Sequence, residues 1–407
     1  MQRLIIVFMS ALCCIAGVQA KTVNVPGDAK TIQAGIDATT SGDTVLVDDG
    51  IYSGAGNRDI SFYARRIVLR SVNGPEATVI DCEGSDEINH RGFYFFSRED
   101  TTCVVDGFTI RNGYADFKGG AVLIEDSSPK IKNCIFEKNF GHHGGVMYIT
   151  FDAFPQVINC RFIENRTGDV GIIHARFGSR AVFTDCEFIG NTAKNGIFLC
   201  YNASPQVRRC NFTSNKTELT GGAVFLQDDS SPTFSDCRFI GNSSGGRGGA
   251  IYIEERGMWQ NYCRPVFNNC VLAGNEADTG GAVYSSGQVG AAFENCTIFG
   301  NRASAGAAVF SKENQNTPLD FVACIISANA GSDALVGDGS AFDLTCSNLY
   351  GNTNGDWTPN IARQKNTGDN MSADPGFTNV SAFDFRLTKE SACNAENSPC
   401  GYIIGIQ

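Results

Sequence analysis

The chain has 407 residues, with 17 Cys, 46 Gly, 29 Phe and only 11 Pro, and its net charge is −11. A charged fraction of 18% beside plentiful aromatics excludes disorder. The length excludes a small disulfide scaffold, and the acidity argues against nucleic acid or an anionic membrane as partner. Acidity also disfavours polyanionic ligands unless a local basic patch or a bound cation intervenes.

In chain order, residues 1–20 read as a secretory signal peptide. Arg3 is the short basic region, Leu4 to Val18 the apolar core, and Val18-Gln19-Ala20 the small-residue cleavage site. The apolar run is short for a membrane span, and no later stretch is long enough. The mature chain is therefore expected to be secreted or displayed at the cell surface, with 15 Cys in an oxidising compartment. Residues 21–43 read as an N-terminal cap, because Ile32 and Ile36 in Lys30–Thr40 make a short amphipathic helix. A strand pattern then opens at Thr44.

From there a repeat takes over. The phrase Cys-x-apolar-x-x-Asn occurs at Cys134, Cys160, Cys186, Cys210, Cys237, Cys270, Cys296 and Cys324, spaced 24 to 33 residues apart. An upstream copy, Gly107 to Asn112, replaces Cys with Gly, and a degenerate one runs from Cys346 to Asn352. A second phrase, Gly-Gly-Ala-Val/Ile-aromatic, interleaves with it at Gly119, Gly144, Gly221, Gly248 and Gly280. Short β-branched or aromatic runs bounded by turn residues, at a period of about 26 residues, mark a stacked solenoid. The expected fold is all-β: a parallel β-helix of roughly 12 coils over residues 44–352, each coil about three strands, closed by an irregular cap over 353–407.

Parity places Cys and the residue two later on one inward face. The repeated Asn suits a left-handed turn and a side-chain ladder from coil to coil. Equivalent positions on adjacent coils lie about 4.8 Å apart, too far for the Cβ separation of a disulfide. The eight-Cys column is therefore expected to be a stack of free thiols, whereas Cys393 and Cys400, in the polar tail, are expected to pair.

These alternating phrases resemble the repeats of chlamydial polymorphic outer membrane proteins. They also resemble the wider set of secreted bacterial right-handed parallel β-helix proteins of the pectin-lyase-like superfamily. Thr31 to Val47 is similar to the opening coils of such proteins, and Ala373–Phe377 with Ser398–Gly401 to their closing segment. Unlike the outer membrane family, the chain shows no C-terminal membrane β-barrel pattern. The resemblance implies, as one reading, a Ca²⁺-dependent polysaccharide lyase or a glycoside hydrolase. The best carboxylates for Ca²⁺ are Asp228 and Asp229 with Glu254 and Glu255 one coil later, and Arg256 is the candidate base. Gly141-His142-His143-Gly144 is only a partial echo of a polygalacturonase motif.

A different column points to binding. Position four of the Gly-Gly phrase carries Leu123, Tyr148, His174, Leu199, Phe225, Tyr252, Tyr284 and Phe310, and parity turns it outward. An exposed ladder of Tyr148, His174, Phe225, Tyr252, Tyr284 and Phe310 would stack on sugars or seat a cell-surface protein. The sequence thus reads as a secreted, monomeric adhesion or binding module for polysaccharide or a cell-surface partner. The alternatives are a lyase or hydrolase and a structural envelope component.

Overall fold

The computed structural model describes residues 19–257, 262–312, 317–337 and 341–406. The expected signal peptide lies outside these residues, apart from Gln19 and Ala20.

The chain winds as a parallel β-helix. Sheet I has 13 strands, from Thr22–Val25 to Phe342–Thr345, and sheet II has 12, from Gly50–Tyr52 to Asn348–Tyr350. Sheet III has 11, from Ile60–Ser61 to Leu335–Gly337. All pairings within these sheets are parallel and in register, so each repeat stacks on the same residue of the next. Stacking begins before the expected boundary, because Thr22–Val25 already pairs with Thr44–Val47. The helix Ile32–Asp37 lies between those strands, capped by Thr31 and burying Ile32 and Ile36. No helix among the described residues is long and apolar enough to cross a membrane.

Three sheets account for the two phrases, but the coil holds a fourth strand that periodicity did not reveal. Between sheets II and III runs a side sheet of six strands, from Tyr114–Lys118 to Ser243–Ser244. Its sequence is polar and carries no alternating apolar pattern, which is why it reads as a loop.

The interior follows the expected parity. Val122, Met147, Ile173, Phe198, Val224 and Ile251 are fully buried. The inward Phe of sheet II form a stack: Phe162, Phe188 and Phe212 lie 4.6 and 4.5 Å apart with rings within 4° of parallel. Burying each such ring contributes about 2–3 kcal/mol. All eight column cysteines are buried and free. Their thiols donate back to carbonyls, as Cys134 does to Lys132 at 3.2 Å. Burial pushes Cys160, Cys186, Cys237, Cys270 and Cys324 well above the ordinary thiol range.

The asparagines form a continuous ladder from Asn139 to Asn352. Each side-chain amide donates to the next Asn Oδ1 at 2.9–3.1 Å. At the far end, Asn352 Nδ2 donates to the Asp356 carboxylate at 2.9 Å. The left-handed residue is not the Asn but the one before it, such as Lys138 (φ 54°) or Glu164 (φ 51°). A second left-handed residue precedes each Cys, as at Asn133 and Asp236, and makes the corner between sheets I and II.

Register also corrects the outlying copies of the phrase. Thr109 pairs with Ile135, so Phe108, not Gly107, occupies the Cys column. Asn348 pairs with Ile325, so Ser347 holds the column and Cys346 falls on the left-handed corner (φ 50°). That corner turns Cys346 out of the column, and the disulfide joins Cys346 to Cys400 with Cα atoms 6.0 Å apart. The expected Cys393–Cys400 pair does not form. Cys393 is a free thiol packed with Ile325 and Ile404.

The tail does more than close the end. Its antiparallel strands Phe377–Asn379 and Asp384–Leu387 fold back over the outer face of sheet II, where Phe385 packs on Val271 and Ala273. Arg238 donates to the Phe383 carbonyl at 2.6 Å.

Candidate functional site: an axial corner groove

The expected aromatic ladder is one register column, and it does point away from the interior. It forms an apolar seam separate from the main core. Yet it is not exposed: Tyr148, His174, Phe225, Tyr252 and Tyr284 are buried, and Phe310 is half-buried. The turn out of the side sheet lays long side chains over the rings. Lys118 Nζ sits 5.1 Å from the Tyr148 ring centre, and the Arg247 guanidinium 5.3 Å from that of Tyr284. Tyr252 and Tyr284 stack on each other at 5.2 Å. Arg176 donates to the Tyr148 hydroxyl at 3.2 Å. Burial, reinforced by Arg176 and His143, holds His174 well below the ordinary imidazole range. This column fastens the outside of sheet III, and only Phe310 at its end keeps part of a ring open to solvent.

The four carboxylates do not assemble a Ca²⁺ site. Asp228 is fully buried and takes three bonds from Arg256, two of them at 3.0 Å from the backbone N and Nε. Glu255 accepts the backbone N–H of Asp229 at 3.0 Å and of Gly257 at 2.9 Å. Glu254 accepts from Gln227 and from the Tyr252 hydroxyl, both at 3.1 Å, and Asp229 accepts from Asn202 at 3.1 Å. With its oxygens committed to hydrogen bonds, this cluster has little left for a hard cation. Paired to Asp228, Arg256 is held as a structural cation rather than a base, and its pKa is raised by that hydrogen bond. Among the described residues, three potential metal ligands converge only at Cys346, Asp369 and Cys400, and two of those are joined as a disulfide.

What lies open is the corner between sheet II and the side sheet. Three depressions of about 510, 370 and 380 Å³ follow one another along the axis there. Arg166 lines both the first and the second, and Lys216 both the second and the third. Together they make one groove. Its floor is the residue that follows each ladder Asn: Phe140, Arg166, Thr192, Lys216, Ser243, Glu276 and Arg302 stand in one register column. The ladder explains why this floor is well defined. Every Asn in it is bonded by backbone and side chain to its neighbours, so the next residue has one way to point.

Arg166, Lys216 and Arg302 are exposed. Among the described residues their side chains have no hydrogen bond or ion pair, in contrast to Arg209 on Asp185 at 2.7 Å or Arg70 on Asp106 at 2.9 Å. Thr192, Ser243 and Ser304 add hydroxyls, whereas Thr217 is buried and the hydroxyls of Thr167 and Ser244 donate to the His142 and Leu219 carbonyls. At the upstream end Tyr114 and Phe140 stack at 4.9 Å and 21°. Carboxylates of Asp86, Glu164, Glu218, Glu276 and Asp278 also line the groove. The arrangement offers spaced cations alternating with carboxylates, a few open hydroxyls, and an aromatic end. Sequence reasoning missed it, although the position after each Asn was there to be read.

Residues 91–260 match the family model described as a right handed beta helix region. The solenoid is a right-handed β-helix. Among solved structures, the PL6 family alginate lyase AlyGC is similar over 95% of this chain, with a TM-score of 0.53 and 13% identity. This chain spans 60% of that enzyme's length. A pectate lyase, Pel9A, is similar over 93% of this chain and 92% of its own, at a TM-score of 0.46 and 13% identity. No curated protein sequence matches the chain. At such identities the likeness is one of fold, which hosts many activities.

Proposed function

We propose that this is an exported, monomeric β-helix protein that binds an extended acidic polysaccharide lengthwise in the corner groove. The carrying observation is the column of uncommitted cations, Arg166, Lys216 and Arg302, on one open floor. In a chain of net charge −11 these three cations alternate with the carboxylates of the groove, so each would meet a ligand carboxylate singly, at spaced points along the axis. Hydroxyls beside them suit sugar hydroxyls, and an open, shallow groove suits a polymer better than a small molecule.

Affinity electrophoresis and calorimetry against polyuronates, with a neutral glucan as control, test this. The triple variant R166Q/K216Q/R302Q should lose polyuronate affinity by about tenfold or more while keeping its melting temperature. Unchanged affinity would overturn the groove. The same incubations, with and without Ca²⁺, report any unsaturated sugar product. Sustained turnover would replace binding with elimination chemistry as the function.

A further inference from the structure

At the turn leaving sheet III, one column adopts left-handed backbone in five successive coils: Asp126 (φ 46°), Phe151 (58°), Phe177 (46°), Asn202 (49°) and Asp228 (40°). Asp and Asn tolerate this conformation, but a bulky ring there is an outlier with a strain cost. Three coils obey that rule and two break it, in adjacent positions. Burial in the core does not explain the exception, because Phe151 and Phe177 are 52% and 39% exposed. Their rings stack on each other at 6.1 Å and 20°, and Tyr201 meets Phe177 edge-on at 6.0 Å.

One guanidinium covers part of this surface, which leaves Phe151 as its most exposed ring. Arg176 lies 4.4 Å from the Phe177 ring centre and 5.0 Å from that of Tyr201. On the same turn the exposed Arg180 covers Phe154 at 4.9 Å. Arg180 also lines a depression of about 340 Å³ with Gly178, Asn202, Ser204 and Asp229. A stepped aromatic surface beside a cation matches a pyranose ring: the apolar C–H face lies on the ring, and the carboxylate reaches the guanidinium.

We propose that Phe151, Phe177 and Tyr201, with Arg180 at the edge, form a second carbohydrate-stacking site for uronate-bearing glycans, separate from the corner groove. It lies on the far side of sheet III, so the two sites engage different chains or different stretches of one polymer. Two sites on one rigid body raise avidity for a polymer without any new contact.

The test exchanges each ring for the residue its neighbouring coil uses, Phe151→Asp and Phe177→Asn. If the rings serve binding, the double variant should melt at the same temperature or higher, because the strain is relieved. It should also lose affinity for a uronate trisaccharide, a ligand too short to span the groove, by about tenfold. R180Q, which leaves the rings in place, should weaken the same ligand severalfold. The groove variant R166Q/K216Q/R302Q should keep trisaccharide binding, so failure of either site is seen separately. A melting temperature several degrees lower in the double variant would make the rings structural and overturn the proposal. So would wild-type trisaccharide affinity in that variant, or trisaccharide binding lost in the groove variant alone.

Discussion

Asn215 shows what one ladder residue does. Its Oδ1 accepts the backbone N–H and the side-chain amide of Asn191, both at 3.0 Å, while its Nδ2 donates to the Phe188 carbonyl at 2.8 Å and to Asn242 at 3.0 Å. All of these groups are buried, so removing the side chain strands several at once. Asn215→Ala should therefore cost about 3 kcal/mol or more, read as a lower denaturant midpoint. A cost under about 1 kcal/mol would mean that the ladder is incidental. The ladder was legible in the sequence because its spacing is that of the repeat. Its backbone was legible only in part: the left-handed residue is the one before Asn, a glycine at Gly190, Gly241, Gly274, Gly300 and Gly351, but Lys138 and Glu164 elsewhere give no sign of it. The same one-residue offset moved Cys346 out of the thiol column and into a disulfide.

At the level of strands, parity was enough to separate inward from outward residues but not buried from exposed. Tyr148 and His174 do point outward, yet the side sheet brings Lys118 and His143 over them, and that sheet carries no hydrophobic period to announce it. The seam has a consequence for pH. An unfolded His174 takes up its proton near 6.5, whereas in the fold burial keeps it neutral to a much lower pH. Between those points the unfolded chain binds more protons, so stability falls as pH drops below about 6.5. His174→Leu places there the residue type that the next coil has at Leu199. The wild type should lose up to about 1.4 kcal/mol per pH unit relative to this variant between about pH 6.5 and 5, measured by denaturation. Parallel stability curves would show that the histidine does not stay neutral. His143, also lowered mainly by burial, and Arg176 face the same ring and remain in both proteins.

Taken whole, the molecule is one stack whose period turns single residues into lines along the axis. Composition already carried that period in its Cys, Gly and Phe, and the fold followed from it. The groove did not, because its floor changes chemistry from coil to coil and is united only by register. From Arg166 to Arg302 the floor spans five coil steps, or about 24 Å at the usual strand spacing. A ligand lying along it must gain affinity as it lengthens, and then stop gaining once it has passed both ends. The decisive measurement is therefore a calorimetric titration with uronate oligosaccharides of increasing length. To keep the second site silent, the protein carries Phe151→Asp and Phe177→Asn. Affinity should climb with each added sugar until the oligomer spans about 24 Å and then level off, with the climb cut short in R302Q. Affinity that is independent of length, or equal in R302Q at every length, would contradict lengthwise binding in the groove.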